Sequence, residues 1–555
     1  MKNKLKIIAL LSFALFIVIT GLPQAKAVTP PVSILKVGLY HGGAALQAAN
    51  LQNVSGMGSG YDFGYFDSSR NFVPIGAYTD ATKISMLKDR NMYYISSTNV
   101  YEAGTDGNVV VGCYHIMLQQ AFSSFGEALS AVSGYNSGFV KYDSGSFYAC
   151  IGNYTSDSEA YSVISSLGLS NATITSGTSR TIAVVETGTN RMLFEFDGGG
   201  SQNLGVMPRS TGVKCQTWFK GLKYYGGFQY TRLDGNDLTV VNIVGVEDYT
   251  KGVLPYEVGN TWPIEALKAQ ALCAKSYAMT SIGSHTSGGF DLCVTEHCQV
   301  YKGTNSANEL TDRAVDETAG MYITYNGEIC KAFFSSCDGG ATDNVENVWP
   351  NTIPYLRGVI DPYEADVASS ISGYYWQLSY TPAELTQRLQ SRGYSCSTIV
   401  SMQITQYTEL GNVMRVTVTD SNGRTLHFTK GDAIRSALGA KSIRFKIGNS
   451  TDAFVNNGSN MLEGGPSSAY AIGGDGLISS LPGGNVYAIT GTGEIEVFGE
   501  GGSSNGMING KFVINGTGHG HNVGMSQYGA YSMAKYHNKT FYDIITFYFT
   551  GVTIG

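Results

Sequence analysis

The chain has 555 residues, which predicts more than one domain because domains typically hold about 100 to 200 residues. Charged residues make up 14% of the chain, against about 25% in an average protein, while 70 glycines and 36 tyrosines predict a surface of small polar and aromatic side chains. Such a surface suits neutral polar ligands such as glycans. The net charge of −7, without a block of lysine or arginine, excludes nucleic acid as a partner because phosphate recognition needs clustered cations.

The N-terminus has the three-part layout of a secretory signal peptide. Lysines among the first six residues precede an apolar run at 7–20, and a small-residue site ends at Ala27. We expect cleavage after Ala27 and a secreted protein outside the cytoplasmic membrane. The apolar run is shorter than the ~20 residues that span a bilayer. An uncleaved anchor is the alternative, and only then is the membrane a partner.

Two stretches of the chain, residues 114–135 and 147–168, resemble each other. Ser124 of the first aligns with Ser156 of the second, and in both a Glu-Ala pair follows three residues later. A hydroxyl at this spacing caps a helix, and the carboxylate lies near the positive end of the helix dipole. The repeat therefore predicts two strand-turn-helix units in the order β-α-β-α.

This repeat resembles a SPOR domain, the small module that binds glycan strands stripped of their stem peptides. The resemblance covers roughly residues 108–172. It implies a glycan-binding module without identifying the residues that would contact the ligand. The alternative is a duplicated βα unit of no particular function.

Strand and turn patterns dominate the rest of the chain. Short β-rich runs fill residues 180–246, and the pairs Asn326-Gly327 and Asn422-Gly423 lie between strand-forming residues, as in hairpins with type I′ turns. We therefore expect an α+β fold, with a mainly β region, a few helices and the small β-α-β-α domain. The predicted organisation in chain order is a signal peptide at 1–27, a β-rich part at 28–107 that begins with a strand over 32–41, the SPOR-like module at 108–172, and a region at 173–555 with a Gly- and Ser-rich insertion at about 449–510.

The segment 246–278 places a carboxyl ahead of a helix that carries two cations. Glu257 lies on a predicted turn, and Pro263 favours a helix start directly after it. The alanines of this helix let another backbone approach closely. Lys268 and Lys275 are seven residues apart and share one helix face.

At this segment the chain closely resembles the SpoIID/LytB family of cell-wall proteins, which includes sporulation lytic transglycosylases and amidase enhancers. The resemblance begins near Lys36, is interrupted by the SPOR-like unit, and continues from about Arg180 to the C-terminus. It implies that Glu257 is the catalytic carboxyl. The alternative is a surface glutamate in a turn.

Lytic transglycosylase chemistry needs only one carboxyl. That group protonates the glycosidic oxygen and later removes a proton from the C6 hydroxyl of the sugar itself, so no second carboxylate has to activate water. It must hold a proton near neutrality, which requires a raised pKa. We expect Tyr256, Val258 and Trp262 to exclude water around Glu257.

The resemblance also implies two basic positions, Lys268 and Lys275, for binding substrate. They would bind the lactyl carboxylate of muramic acid that has lost its peptide. Many relatives carry arginine at the second position, and a lysine there gives up bidentate recognition of the carboxylate. The alternative is a solvated helix face.

Cys293, His297 and Cys298 form a cluster of the soft and borderline ligands that zinc favours. Some sporulation members of the family bind zinc through a similar segment, so the resemblance implies a structural zinc. The spacing is weaker evidence than a paired C-x-x-C signature. A local disulfide or two free thiols is the alternative.

Two later segments also match the family, at 333–342 and 516–530. The second resembles the terminal Gly-His-Gly-x-Gly-Met-Ser-Gln pattern, with Asn522 where relatives often carry glycine, and asparagine tolerates a positive φ. A purely structural Gly-rich turn is the alternative for this loop. The polar residues predicted to contact glycan are Ser335, Ser336, His521, Ser526 and Gln527.

The sequence therefore predicts a secreted lytic transglycosylase that cleaves the bond between N-acetylmuramic acid and N-acetylglucosamine in denuded peptidoglycan strands. Glu257 would act first as acid and then as base, leaving an anhydro end. Two alternatives share the same signature: a non-catalytic amidase enhancer, whose partner would be a cell-wall amidase, and a glycan-binding wall protein. Zinc is the expected cofactor, in a structural role.

Overall fold

The computed structural model describes residues 28–448 and 505–555, together with the backbone of short strands between residues 454 and 498. The predicted signal peptide and most of the predicted insertion at 449–510 lie outside the described residues. Among the described helices, none combines the length and apolar character that a membrane crossing requires. The chain divides into an N-terminal unit, Pro30–Ala319, and a C-terminal unit, Gly320–Gly555, so the boundary falls inside the region 173–555 that we predicted as one domain.

The N-terminal unit consists mainly of strands, and its first strand confirms the prediction for residues 32–41. Turn-rich sequence after it proves to be a series of strands. The strands are β1 (Ile34–Tyr40), β2 (Ala48–Asn53), β3 (Gly58–Phe66), β4 (Phe72–Thr79), β5 (Lys83–Lys88), β6 (Met92–Ile95), β7 (Val100–Ala103), β8 (Val110–Val111), β9 (Tyr114–Phe122), β10 (Gly138–Asp143), β11 (Ser146–Tyr154), β12 (Ala172–Ser176), β13 (Ile182–Glu186), β14 (Met192–Asp197), β15 (Leu204–Ser210), β16 (Thr217–Phe219), β17 (Leu222–Tyr224), β18 (Gly227–Arg232), β19 (Leu238–Gly245) and β20 (Leu292–Cys293).

These strands form two large sheets that share a core. One sheet has the order β20-β1-β19-β18-β15-β3-β4, and the other has the order β12-β9-β11-β10-β14-β13-β5-β2-β16-β17. Phe63 of β3 stacks on Phe194 of β14 with ring centroids 5.0 Å apart, so the two sheets face each other. A small third sheet, β7-β6-β8, lies beside them. The helices of this unit are α1 (Phe125–Ala131), α2 (Asp157–Leu167), α3 (Val246–Glu257), α4 (Ile264–Thr280) and α5 (Glu309–Asp316).

The repeat predicted from sequence forms with the expected helix caps. The hydroxyl of Ser124 accepts a hydrogen bond from the Glu127 amide, and Ser156 does the same for Glu159. The element order is β9-α1-β10-β11-α2-β12, however, and not β-α-β-α. The two further strands escaped prediction because they lie between and after the aligned stretches.

The repeat unit is not a separate body. Its strand β10 pairs in parallel with β14, so its sheet continues into the ten-stranded sheet. Helices α1 and α2 cover one face of this sheet. On the other face, Phe139 and Cys150 pack in one buried cluster with Met92, Tyr101 and Val111 of the small third sheet. Both faces of the central strands are therefore covered.

Helices α3, α4 and α5 pack together through small side chains. The alanines of α4 are almost fully buried, as the Ala-rich pattern predicts. Gly252 of α3 is required for this packing, because a Cβ atom there would lie 2.4 Å from the Tyr301 ring. Leu254 and Leu267 form the centre of the cluster with Val315 of α5.

The C-terminal unit contains several smaller sheets, with the orders β22-β21-β38, β23-β37, β24-β36-β28 with β35 also paired to β36, and β25-β26-β27. Its strands are β21 (Ile323–Tyr325), β22 (Glu328–Ile329), β23 (Phe334–Ser335), β24 (Tyr375–Tyr380), β25 (Ile399–Tyr407), β26 (Val413–Asp420), β27 (Thr425–Thr429), β28 (Phe445–Ile447), β29 (Phe454–Asn456), β30 (Met461–Glu463), β31 (Tyr470–Ile472), β32 (Ile478–Ser480), β33 (Val486–Ile489), β34 (Ile495–Phe498), β35 (Met507–Ile508), β36 (Lys511–Thr517), β37 (Met525–Ser526) and β38 (Thr553–Ile554). Its helices are α6 (Val345–Val348), α7 (Pro382–Ser391), α8 (Gly431–Leu438), α9 (Gln527–Tyr536) and α10 (Phe541–Tyr548). The described residues thus confirm an α+β fold made mostly of sheets.

The two predicted hairpins of this unit both form, but with different turns. Asn326 and Gly327 have φ values of 52° and 84°, so the first turn has the predicted type I′ geometry. At the second turn only Gly423 has a positive φ, and the Gly423 amide donates to the Asp420 carbonyl. That hairpin has a longer loop because the Asp420 carboxylate accepts hydrogen bonds from the amides of Asn422 and Arg424.

Candidate functional site

Glu257 is the last residue of α3, and not part of a free turn as predicted. The helix continues through Pro255 to Glu257. A proline near a helix end removes only one backbone hydrogen bond, and tertiary packing of this helix compensates for that loss. Helix α4 begins at Ile264 with Pro263 as its N-cap, one residue from the predicted start.

The chain segment 299–301 lies next to Glu257 and binds its carboxylate. The Val300 amide donates a hydrogen bond of 2.9 Å to Glu257 Oε1. Gln299 next to it donates to the Ala274 carbonyl at 3.0 Å and accepts from the Tyr249 hydroxyl at 3.2 Å. These buried bonds tie the segment to α3 and α4, so the position of one Glu257 oxygen is fixed by the fold.

The residues around Glu257 limit the access of water on one side. Val258 is buried and packs with Leu254, and Trp262 is partly buried against the same cluster. Tyr256 and Glu257 itself are half-buried. A half-buried carboxyl can reach a ligand while part of its surroundings stays apolar.

Both lysines that we predicted to bind substrate, Lys268 and Lys275, form ion pairs with glutamates of the protein. The Lys275 side chain has no exposed surface; its ammonium donates to the Thr318 carbonyl and lies 3.2 Å from Glu247 Oε2. Lys268 lies 2.9 Å from Glu265 Oε1 and 2.7 Å from Glu317 Oε2. Lys275 in this position cannot bind a substrate carboxylate, because burial and Glu247 already enclose its charge.

A cluster of cysteine and histidine side chains lies directly before the segment that holds Glu257. The predicted ligands Cys293, His297 and Cys298 come together, and His285, which the sequence analysis missed, joins them. One ligand atom from each of the four lies within 4.8 Å of the others. His285 lies on the loop after α4, and only its spacing before Cys293 could have suggested it.

The four side chains fit a tetrahedral zinc ion. The His285 Nε2 to Cys298 Sγ distance is 3.2 Å, Cys298 Sγ to His297 Nδ1 is 3.6 Å, and Cys293 Sγ to His297 Nδ1 is 3.8 Å. Ligands about 2.0–2.3 Å from a tetrahedral zinc are separated by roughly 3.5 Å.

The pKa of the Cys293 thiol also favours metal binding. Although burial opposes it, hydrogen bonds from Thr295, His297 and Cys298 lower the pKa of Cys293 to about 7, which favours the thiolate that metals bind. Among the described residues no disulfide links Cys293 to Cys298, so the alternative local disulfide is not formed.

In the C-terminal unit, the two segments that match the family meet. Phe334 and Ser335 of β23 pair in parallel with Met525 and Ser526 of β37. Gly520 approaches Ser335 so closely that a Cβ atom there would lie 2.3 Å from the Ser335 Cβ. Asn522 has a φ of 62°, as predicted for this position.

The predicted glycan contacts in these segments differ in exposure. Ser335, Ser336 and His521 are half-buried, whereas Ser526 is 1% exposed and Gln527 is 7% exposed. Ser526 caps helix α9 by accepting from the Gly529 amide, and its hydroxyl donates to Glu364 Oε1. Ser526 is therefore engaged inside the protein and does not present its hydroxyl to a ligand.

His521 is held in the neutral form. Its ring lies 5.0 Å from the Trp349 ring and 6.0 Å from the Phe333 ring. Burial by this packing, with the charge of Arg435 added, lowers the pKa of His521 to about 3. Nδ1 accepts from the Val523 amide at 3.1 Å, so the proton of the neutral ring is on Nε2.

Behind these segments lies a buried group of carboxyls that the sequence analysis missed. The carboxylate oxygens of Asp338, Asp361 and Glu364 lie within 4.8 Å of one another, and all three residues are at most 3% exposed. Glu364 accepts from the amides of Asp338 and Gly339 as well as from Ser526. It thereby links the two family segments.

Burial and mutual repulsion favour the protonated forms of these carboxyls. Burial raises the pKa of Glu364 to about 7, and the charge of Asp361 adds to this. The pKa of Asp338 is raised well above its usual value for the same reasons. Arg444 is a buried cation whose charge acts against this rise.

Comparison with known proteins places these features in a family. The SpoIID profile, described as Stage II sporulation protein, matches residues 234–325, which contain α3, α4, Glu257 and the Cys/His cluster. An uncharacterised protein of Brachyspira hyodysenteriae is 30% identical over 384 residues, which cover 68% of this chain and 83% of that protein. The chain belongs to the SpoIID/LytB family.

Two named SpoIID/LytB relatives come from Bacillus subtilis. Its Stage II sporulation protein D is 29% identical over 331 residues, covering 57% of this chain and 76% of the relative. Its Amidase enhancer is 27% identical over 314 residues, covering 55% of this chain and 40% of the relative. The two branches that the sequence resemblance left open are thus both represented among these relatives.

Proposed function

We propose that this SpoIID/LytB protein is a secreted peptidoglycan lytic transglycosylase that cleaves the bond between N-acetylmuramic acid and N-acetylglucosamine, with Glu257 as the catalytic residue. The observation that carries the proposal is the position of Glu257. It is half-buried at the end of α3, and the Val300 amide holds one of its oxygens. The names of the relatives, which refer to sporulation and to an amidase, support a role in the cell wall.

The proposed reaction uses one carboxyl twice. The protonated Glu257 gives its proton to the glycosidic oxygen, and the leaving sugar departs as an alcohol. The carboxylate then takes the proton of the C6 hydroxyl, whose oxygen closes the anhydro ring on C1. The Val300 hydrogen bond would keep Oε1 in place, so that the same carboxyl serves both steps.

The test is the Glu257→Gln variant on peptidoglycan strands freed of peptides. We expect anhydro-muramyl products from the wild type and at least a roughly 100-fold slower release by the variant, because a glutamine cannot transfer a proton. Glu309→Gln, an exposed glutamate in the first turn of α5, is the matched control and should keep wild-type rates. Absence of anhydro ends with the wild type would refute the proposal.

A non-catalytic amidase enhancer is the second candidate, favoured by the similarity to the Bacillus subtilis Amidase enhancer. In that case a cell-wall amidase would be the partner. A mixed assay separates the two functions: faster release of stem peptides by the amidase, equally with wild type and Glu257→Gln, would establish the enhancer.

We further propose that zinc is bound by His285, Cys293, His297 and Cys298 and acts structurally. The ion would hold together the chain from 285 to 298, and the next residues, 299–301, carry the amide that binds Glu257. Four protein ligands would leave no open position for a zinc-bound water. The metal would therefore fix the Glu257 surroundings and take no part in bond cleavage.

Contacts between glycan and the C-terminal unit remain part of the proposal. Ser335, Ser336 and His521 are half-buried polar residues suited to contact sugar hydroxyls. Gln527 and Ser526 would position this loop. For the SPOR-like unit, a glycan would have to bind at loops or edges, since both faces of its central strands are covered.

A further inference from the structure

A groove on the N-terminal unit, remote in sequence from the family segment, has no role in the function proposed above. Its volume is about 640 Å³, which lies within the usual range of ligand-binding pockets. Strands β5, β2 and β16 form its floor, and the turn between β6 and β7 forms a wall. Its lining includes Gln52, Lys83, Tyr94, Trp218 and Lys220.

The sheet fixes the order of the side chains on the floor. Gln52 of β2 is the register partner of Lys83 on β5, and it is also the register partner of Trp218 on β16. Residues directly opposite on neighbouring strands project from the same face. Lys83, Gln52 and Trp218 therefore form one row across three strands, and this row is preorganised by backbone hydrogen bonds.

Lys220 extends this row at one end. It occupies the tight turn between β16 and β17 with a φ of 50°, followed by Gly221 with a φ of 79°. The two-residue turn keeps the Lys220 side chain at the groove beside Trp218, with its ammonium 5.9 Å from the Tyr40 ring centroid. Lys223 lies outside the lining, with its ammonium 5.6 Å from the Trp218 ring centroid.

The positive charges of Lys83 and Lys220 have no carboxylate beside them in the lining of the groove. Lys83 and Lys220 are exposed, and the lining contains no acidic residue. Within the part of the chain that the structure describes, neither ammonium lies in ion-pair contact with a carboxylate. This differs from Lys268 and Lys275 on α4, whose charges are already matched by internal glutamates. A ligand anion would find its counter-charges at this groove and not at α4.

The uncharged part of the groove suits a sugar. Trp218 and Tyr94 are half-exposed, and their rings offer flat apolar surfaces with polar edges, on which the C–H face of a pyranose can stack. Gln52 is exposed and supplies an amide for hydroxyl or acetamido groups. The aromatic rings, the amide and the two lysines therefore lie together in one groove. This combination suits a sugar that carries a carboxylate.

We propose that this groove binds glycan strands through the free lactyl carboxylates of N-acetylmuramic acid, which Lys83 and Lys220 recognise while Trp218 stacks on a sugar ring. The inference rests on the proposed function for its substrate class. The groove would act as a second binding site that selects strands without peptides, because a peptide bond removes the lactyl charge.

The test measures binding by calorimetry with the full chain carrying Glu257→Gln, so that strands are not consumed. The probes are muramic-acid strands freed of peptides and, as neutral probes, oligomers of N-acetylglucosamine. Lys83→Gln with Lys220→Gln should weaken binding of the acidic strands about tenfold, with little effect on the neutral oligomers, because only the charge pairs are lost. Trp218→Ala should weaken both.

The matched control changes two lysines elsewhere, Lys511→Gln with Lys539→Gln, and should bind like the parent. Thermal unfolding of each variant checks that it is folded, and the lysine pair, being on the surface, should melt like the parent. Equal affinity of the parent for acidic and neutral strands would overturn the inference, and so would unchanged binding by the Lys83/Lys220 variant. Binding of a glycerol-phosphate wall polymer without binding of the strands would also overturn it.

The test of the groove and the test of glycan cleavage can fail independently of each other. If the wild type releases anhydro ends and the groove variants bind normally, only the groove inference fails. If binding depends on Lys83 and Lys220 but no anhydro ends form, the enzyme proposal fails and the groove remains a glycan-binding site.

Discussion

Glu257 in the N-terminal unit and Glu364 in the C-terminal unit are both glutamates beside family segments, but they are held in opposite ways. Glu257 is half-buried at a helix end, and the segment 299–301 that holds it follows a cluster of cysteine and histidine side chains. Glu364 is fully buried and accepts hydrogen bonds from two backbone amides and from the Ser526 hydroxyl. Two further carboxyls lie next to it.

In the proposed function, the same kind of side chain would act on a ligand at Glu257 and holds loops in place at Glu364. A carboxyl that acts on a ligand must keep part of its surface accessible, which is the case for Glu257. A carboxyl whose oxygens accept hydrogen bonds from the protein's own amides and hydroxyls fixes loops, as Glu364 does for the segments around Asp338 and Ser526. The following predictions test this division.

Removal of metal should have the largest effect, and only on the N-terminal unit. If zinc joins His285, Cys293, His297 and Cys298, chelation should lower the free energy of unfolding of this unit by at least about 3 kcal/mol, since metal binding is coupled to folding. It should also slow any glycan cleavage through the segment that holds Glu257. Metal analysis combined with calorimetry measures both changes.

The controls for this prediction use single histidines. His285→Ala should release the metal, whereas His427→Ala, an exposed histidine on β27, should retain it. A purified protein without zinc, melting at the same temperature with and without chelator, would contradict the structural zinc.

Loss of the Glu364 side chain should come next in size, and it should act on stability first. Glu364→Ala leaves the Asp338 and Gly339 amides and the Ser526 hydroxyl without their acceptor, which costs about 3 kcal/mol. Chemical denaturation measures the loss. Glu409→Ala, an exposed glutamate of the same unit, should change stability by less than about 0.5 kcal/mol.

A smaller effect should appear as a pH dependence of the C-terminal unit. The pKa of Glu364 rises from 4.5 to about 7 on folding, so its proton stabilises the folded state below about pH 4.5. This contribution is lost as the pH rises through about 7. Asp338, whose pKa is also raised, acts in the same direction.

Glu364→Gln isolates this effect, because glutamine resembles the protonated carboxyl at every pH. Between pH 4.5 and 7 the stability difference between wild type and Glu364→Gln should shift in favour of the variant. Parallel stability curves across this window would show that Glu364 does not change its protonation there.

Much of the site was predictable because its signals are local. The capping serines of α1 and α2, the Ala-rich helix α4, the positive φ of Asn522 and the cluster of Cys293, His297 and Cys298 all follow from short-range spacing. His285 belongs to no spacing pattern with the two cysteines, and the contact of Glu364 with Ser526 joins residues far apart in sequence, so neither was predictable.

The sequence by itself determined the family motif, Glu257 as the candidate acid, and the helix α4 that follows it. Tertiary structure decided which charges remain available: Lys275 is buried against Glu247, whereas Lys83 and Lys220 form no ion pair with the described carboxylates and line a groove. The physical reason is that a charge is balanced by whatever the fold brings within a few ångströms, and strand register and helix packing set those neighbours over long sequence distances.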